Sequence, residues 1–548
     1  MQTENRRRGN AVPPAFPLTL TPGYNCNGTV FNSIWKSWRK RFCSQKIKPT
    51  RVLNKRTGDM NILDEFTTYY TKVGQTNSVG ADDKFKSFVT SFIQAETNIS
   101  SHSNALMVDV LVVQEKMNDL KLRKAAGHDN IQNEHLIFGG SNLAVHLSLL
   151  FTAMVRHAFV PESFRYGIIK PILKNKHGDQ TNLDMYRGIT LTPTISKLFE
   201  AVLLSIYGSY LNSDPLQFGF KKDSGCNHAL FTFSESVKFY NKRGNKAYCV
   251  FLDASKAFDK VLINGLIAKL IKKGAPTPFI RILYNWLNNS SCSVAWNGLL
   301  GTPFLLHCGI RQGGVLSPFL FAIYVNDLID KLRQSGFGLY VGSLFVGCIL
   351  YADDIALLSC SCYGLQKLID ICYDYGVQWD IKFNPQKSQA ATFGGNSPPV
   401  SVKLGDAALG WVSNVKYLGC YFLSRSCEVD TTRCVGKFYG SFNNILNVLG
   451  KRRNDMLAVH LIKTYCLPML LYSCEIWGAR PVDMRSVDVS WNNAFRKIFN
   501  ACWRDSIKPL QFYCSSLPAS VLVHQRRILF WLKMVRSERH LAYICRMF

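Results

Sequence analysis

At 548 residues and 47% hydrophobic content, the chain is long enough for several subdomains with sizeable cores and reads as a folded globular protein. A formal net charge of +28 and an isoelectric point near 9.5 point to a polyanionic partner, most often nucleic acid. No apolar run reaches the roughly 18 residues of a membrane span. No secretory h-region opens the chain, and the 18 cysteines include no pair at zinc-knuckle spacing. A membrane-spanning, secreted or zinc-finger protein is therefore not expected, and the thiols should be reduced.

Residues 1–50 carry Arg6-Arg7-Arg8 and then Pro13, Pro14, Pro17 and Pro22, the pattern of a flexible basic arm. Within it, Trp35, Lys36, Trp38, Arg39, Lys40, Arg41 and Phe42 mix aromatic and basic side chains. That mix suits stacking on bases, and equally an amphipathic helix docked on the body. Residues 51–115 read as a helical N-terminal extension. Lys121–Asn130 is turn-rich, and helical periodicity follows in Leu143–Val155. Ile168–Lys174 is a predicted strand, Thr194–Leu211 a helix, Ala247–Leu252 a strand and Asn264–Lys273 a helix. Gly313–Leu328 begins as a glycine turn and continues as a helix. Leu344–Leu358 is a predicted hairpin, followed by a helix over Leu365–Tyr375. Residues 426–548 are helical and basic, with Lys451-Arg452-Arg453 and then Arg526, Arg527, Lys533, Arg536 and Arg539 among apolar residues. Such a helix is read here as lying along a duplex backbone rather than as a merely solvated face. Strands alternating with helices predict an α+β fold.

The hairpin holds the most telling residues. Tyr351-Ala352-Asp353-Asp354 sits between apolar runs, which puts two carboxylates at the tip. Adjacent carboxylates repel, so a fold that keeps them together favours a cation between them. Val250-Phe251-Leu252-Asp253 ends another apolar run and sets a third carboxylate at a strand end. Three such groups on adjacent strands are able to hold two Mg²⁺ about 3.5–4 Å apart for phosphoryl transfer, with Mn²⁺ as a substitute.

Eight motifs in order, with Pro171–Lys174 and Tyr186–Thr190 counted together as one finger motif, give the chain a family resemblance. They are Lys124-Ala-Ala-Gly127-His128-Asp129, Pro171-Ile-Leu-Lys174 with Tyr186-Arg187-Gly-Ile-Thr190, Gln217-Phe-Gly219-Phe220, Asp253-Ala-Ser-Lys-Ala-Phe258-Asp259, Gly309-Ile-Arg-Gln312-Gly313-Gly314-Val-Leu-Ser317-Pro318, Tyr351-Ala-Asp353-Asp354, Asn384-Pro-Gln-Lys387, and Tyr417-Leu418-Gly419. Over residues 110–425 the chain resembles the reverse transcriptase region of a non-LTR (LINE-type) retrotransposon polyprotein, truncated of its endonuclease.

The resemblance implies a right-hand polymerase, with fingers and palm over 116–425 and a helical thumb over 426–548. It implies an RNA-directed DNA polymerase that extends a DNA primer with dNTPs on an RNA template. Asp253, Asp353 and Asp354 would hold the two Mg²⁺. Lys174, Arg187, Phe258, Gln312, Gly313 and Lys387 would bind the nucleotide, with Phe258 gating the 2′-hydroxyl. Tyr417, Leu418 and Gly419 would form the primer grip. A nick in target DNA would have to come from another activity, no membrane is involved, and the working compartment would be intracellular and nuclear. The chain departs from the family pattern at His128, Asn130, Gly188 and Arg311, where proline or glycine is usual. The competing reading is a catalytically inactive RNA-binding remnant. A viral RNA-dependent RNA polymerase fits worse, because Tyr-Ala-Asp-Asp and Phe258 favour deoxynucleotides.

Overall fold

A computed structural model of the chain describes residues 50–536, apart from 51, 100–106, 176–177, 397–399, 425, 451–453 and 479. The arm with Arg6–Arg8 and its prolines, the Trp35–Phe42 cluster, Lys451–Arg453 and Arg539 lie outside the described residues. The described residues belong to one compact unit.

Four antiparallel strands form the central sheet, in the order Cys348–Tyr351, Asp354–Ser359, Ala247–Asp253, Gln389–Phe393. Side chains alternate between faces along a strand, and here both faces are covered, so the strands read as continuous apolar runs. Val250, Leu252, Leu350, Ile355 and Leu357 enter one core with Leu365, Leu368 and Ile369 of the helix Cys362–Trp379. Cys249, Phe251, Ile349, Ala356 and Leu358 enter the other with Leu230, Phe233 and Val237 of the helix Cys226–Asn241. That second core continues into the C-terminal helices through Phe438, Trp491, Phe495 and Val523.

A separate sheet pairs Tyr186–Leu191 antiparallel with Tyr166–Leu173, which lies parallel to Ser291–Trp296. Helix Asp59–Val73 covers it, burying Ile62, Leu63, Phe66 and Tyr70 against Ile169, Tyr186, Val294 and Trp296.

The α+β alternation holds, and most predicted elements recur with ends shifted by a few residues. The hairpin is shorter than predicted. Leu344–Phe345 pairs with Tyr340–Val341 instead, and the hairpin proper starts at Cys348. The Gly313–Leu328 segment is two helices, Ser317–Tyr324 and Asn326–Gln334, interrupted at Val325. Among the described residues no helix is long and apolar enough to cross a membrane.

Arg526 and Arg527 serve the fold more than their charge suggests. Arg526 donates to the Leu471 carbonyl at 3.3 Å, and Arg527 Nε donates to that of Cys474 at 3.0 Å. Both therefore tie helix Ala519–Val535 to the 471–477 turn, whereas the duplex-backbone reading needed them free.

Candidate active site

Register brings the carboxylates together. Asp253 and Asp354 are direct ladder partners, and Asp353 occupies the two-residue turn before Asp354. Ala352, the first turn residue, has φ of 57°, a left-handed conformation that a two-residue hairpin demands and that costs a non-glycine residue something. Gln217 holds it there. This fully buried side chain accepts from the Ala352 and Gly219 N–H groups, each at 3.0 Å. Gly219 is required for the approach, because a Cβ would stand 2.6 Å from the Ala352 nitrogen.

The Asn384–Ser388 turn fixes Asp253 from the other side. The Asp253 carbonyl accepts from Asn384 N at 2.8 Å, and its N–H donates to Ser388 Oγ at 3.2 Å. Lys387 projects from the same turn and is exposed.

Burial raises the carboxyl of Asp354 to about 6, with further contributions from the charges of Asp353 and Asp253 and an opposing one from Lys416. Burial also raises Asp353; Asp253 adds to this and Arg187 works against it. Among the described residues none of the three carboxylates has an ion pair within 4.0 Å, and no group of three acidic, histidine or cysteine side chains closes on a common point. The acids are adjacent rather than assembled. Three mutually repelling oxygen donors without a fixed counter-cation nevertheless suit a hard divalent ion.

The neighbouring sheet brings a cation close enough for its charge to act on Asp353. Arg187 lies on strand Tyr186–Leu191, and Lys174 directly follows strand Tyr166–Leu173. Burial lowers the Lys174 ammonium, helped by the charges of Lys387 and Arg187. Lys174, Arg187 and Lys387 therefore share one region.

Phe258 stacks on Phe321 at 4.4 Å between centroids and meets Phe220 edge-on at 6.1 Å. Gln312 has both ends occupied. Its amide donates to the two Asp259 oxygens at 3.0 and 2.9 Å, and its backbone carbonyl accepts from Thr190 N at 2.9 Å. Gly313, at φ 128°, passes so close to the Thr190 carbonyl that a Cβ would lie 2.7 Å from it. Tyr417 is buried against Phe251 and Phe233, so only Leu418 and Gly419 present the turn between strands Asn414–Tyr417 and Cys420–Leu423. The Leu418 carbonyl accepts from Tyr472 OH at 2.8 Å.

Asp259 belongs to the site but carried no role in the sequence reading. Burial pushes its carboxyl up to about 6, against the Gln312 hydrogen bonds and the Lys256 charge. The folded value exceeds the unfolded one, so the folded state holds this proton more tightly, and the group's contribution to stability falls as pH rises from about 4 to about 6. Asp259→Asn is expected to shallow the decline in denaturant midpoint across that window. An unchanged profile would assign the decline to other groups.

With this geometry in hand, residues 172–422 match the family described as reverse transcriptase (RNA-dependent DNA polymerase). The chain is 26% identical over 511 residues to the probable RNA-directed DNA polymerase from transposon X-element of Drosophila melanogaster, a match covering 86% of this chain and 53% of that protein. It is 26% identical over 532 residues to the RNA-directed DNA polymerase from mobile element jockey of Drosophila funebris, covering 91% and 55%. The chain thus spans about half the length of the curated relatives it matches. Among solved structures, it is similar to a telomerase from Candida albicans at 11% identity and a TM-score of 0.41, covering 91% of this chain and 94% of that one, a likeness too loose to argue from. Residues 172–422 thus match the reverse transcriptase family, and most of the chain is similar to RNA-directed DNA polymerases of mobile elements.

Proposed function

We propose that the chain is an RNA-directed DNA polymerase that extends a DNA primer with dNTPs on an RNA template. One observation carries this reading: Asp253 and Asp354 stand opposite each other in the ladder with Asp353 in the adjoining turn, and the charge of Arg187, which also acts on Lys174 beside Lys387, reaches Asp353. Carboxylates on one wall and ammonium and guanidinium groups on the other suit a polyanionic substrate that reacts at a phosphorus atom.

In this reading Asp253, Asp353 and Asp354 hold two Mg²⁺, which when bound lower the pKa of the primer 3′-hydroxyl and neutralise charge on the departing pyrophosphate. Lys174 and Arg187 bind the triphosphate and orient its α-phosphorus. Lys387 stands by the pyrophosphate end as a proton donor. Gln312 and Gly313 shape the nucleotide pocket through the backbone, and the Leu418-Gly419 turn bears on the primer end, anchored by Tyr417. Copying into DNA on a chromosomal primer end would take place in the nucleus.

Phe258 is the sugar gate. Phe321 holds its ring by stacking, so the ring cannot swing away from a 2′-hydroxyl. Phe258→Ala is expected to raise rNTP use relative to dNTP use by about 10- to 100-fold, a range set by what one steric contact discriminates. The check is competing single-nucleotide incorporation. Unchanged selectivity would make Phe258 a packing residue only.

The direct test is primer extension on an RNA template with Mg²⁺ and dNTPs, native protein against Asp353→Ala. Extension that disappears in the variant supports the reading. A native protein that binds primer–template and adds nothing would make this copy an RNA-binding remnant.

A further inference from the structure

We propose that Asp184 is an anionic placeholder in the triphosphate site, displaced when a nucleotide binds, and that Lys256 is a further cation of that site. The inference rests on the polymerase reading for the identity of the nucleotide.

Asp184 lies in the short turn Leu183–Met185 that leads into the Arg187 strand, its N–H donating to Asn182 Oδ1 at 2.9 Å. Its groups engage the surrounding cations. The carboxylate pairs with Lys256 Nζ at 3.2 Å and accepts from Tyr69 OH at 2.8 Å. Its backbone carbonyl accepts from Lys174 Nζ at 2.7 Å. Lys256 lies three residues beyond Asp253 and has a left-handed φ of 53°, with its ammonium 4.6 Å from the Tyr69 ring centre. Lys256 therefore points from the palm towards the fingers, to the place where Lys174, Arg187 and Lys387 gather.

The chemistry of the cluster favours displacement. Lys174, Arg187, Lys256 and Lys387 share their surroundings with the exposed Asp184, the more enclosed Asp259 and the three site aspartates, whose charges bound Mg²⁺ would neutralise. A triphosphate brings about four negative charges and many acceptor oxygens, so it matches this cluster better than a single aspartate does. The Asp184 side chain is 69% exposed, and exposed ion pairs are individually weak. Release of the Asp184 carboxylate frees Lys256, while Lys174 stays on the Asp184 backbone carbonyl and keeps its remaining N–H groups for the incoming phosphates. The placeholder would also keep loose anions from lodging among the cations.

The test measures binding of inorganic tripolyphosphate by calorimetry, and KM and kcat for single dNTP incorporation, on the full chain. Asp184→Asn keeps the shape and the Tyr69 acceptor while removing the charge. It is expected to tighten tripolyphosphate about fivefold and lower KM similarly, with kcat within about twofold, as loss of one exposed pair allows. Lys256→Met is expected to weaken both about tenfold. In the double variant the gain from Asp184→Asn disappears, because its partner is gone. Tyr69→Phe, which removes one tether of Asp184, should move KM in the same direction as Asp184→Asn by a smaller factor. If Asp184→Asn and Tyr69→Phe lower only thermal stability and leave both constants unchanged, Asp184 is a scaffold residue and the proposal is wrong. Shifts in tripolyphosphate binding by a native protein that never extends a primer would instead sink the polymerase reading and leave the anion site standing.

Discussion

Asp253→Asn is expected to cut primer extension by about 10³-fold or more while leaving the protein as stable as the native chain or more so. Loss of activity on this scale follows removal of a group that acts on the reacting centre. The stability half of the prediction comes from the electrostatics. Asp253 contributes to raising both Asp353 and Asp354, so its charge is a source of strain in the folded state. The substitution deletes that repulsion and keeps the backbone bonds to Asn384 and Ser388, which do not involve the side chain. A variant that is inert and melts no lower than the native protein separates chemistry from folding. One that is inert because it melts lower would remove Asp253 from the catalytic centre and make it structural. Stability given up for a charged site is common where function requires like charges together.

The carboxylate positions were legible in the sequence because each follows an apolar run, and a sheet buried on both faces needs such runs. The adjacency of Asp253 and Asp354 was legible only as a condition, that the two strands be neighbours. No local pattern states pairing, since register depends on which strands the helices leave adjacent. Gln217 shows another limit. It stands in a recognised motif, yet its task of holding the Ala352 N–H belongs to a turn 135 residues away in the chain. Tyr417 was read as part of a substrate-facing turn, but its ring is core, because an aromatic residue in an alternating strand points to one face or the other and here that face is covered. Arg526 and Arg527 looked like a nucleic-acid track because charge is visible in a sequence and carbonyl partners are not. The signal that would have found Asp184 and Lys256 is weaker still, one of two aspartates in a polar loop and one lysine three residues after Asp253.

Glu200→Ala is expected to destabilise the fold by about 3 kcal/mol, the scale set by an orphaned buried donor together with an uncompensated buried charge. Glu200 is buried on helix Thr194–Tyr207, and its carboxylate accepts from Leu316 N at 2.7 Å at the start of helix Ser317–Tyr324. Burial raises its carboxyl, and the Leu316 bond and the Arg311 charge oppose that rise without cancelling it. Arg311 stands where the family usually has proline. Instead of stiffening the turn covalently, it donates to the carbonyls of Phe164 and Arg165. Burial lowers its own basicity, and the charge of Glu200 works against that. The Gly-rich turn is thus held from two sides, by Arg311 at its start and by Glu200 at its end, with the Gln312 carbonyl bonded to Thr190 N and Gly313 passing close by Thr190 between them. Glu200→Gln should cost less than Glu200→Ala, since an amide oxygen still accepts from Leu316 N. In both variants the KM for dNTP should rise at temperatures where the protein remains folded, because the turn that the proposed function sets beneath the nucleotide loosens. Denaturant midpoints for the two variants, read beside KM, decide the matter. Equal destabilisation by Gln and Ala would show that the charge opposite Arg311 matters and the acceptor does not. A native-like midpoint for Glu200→Ala would mean that water satisfies Leu316 and that the turn stands without Glu200.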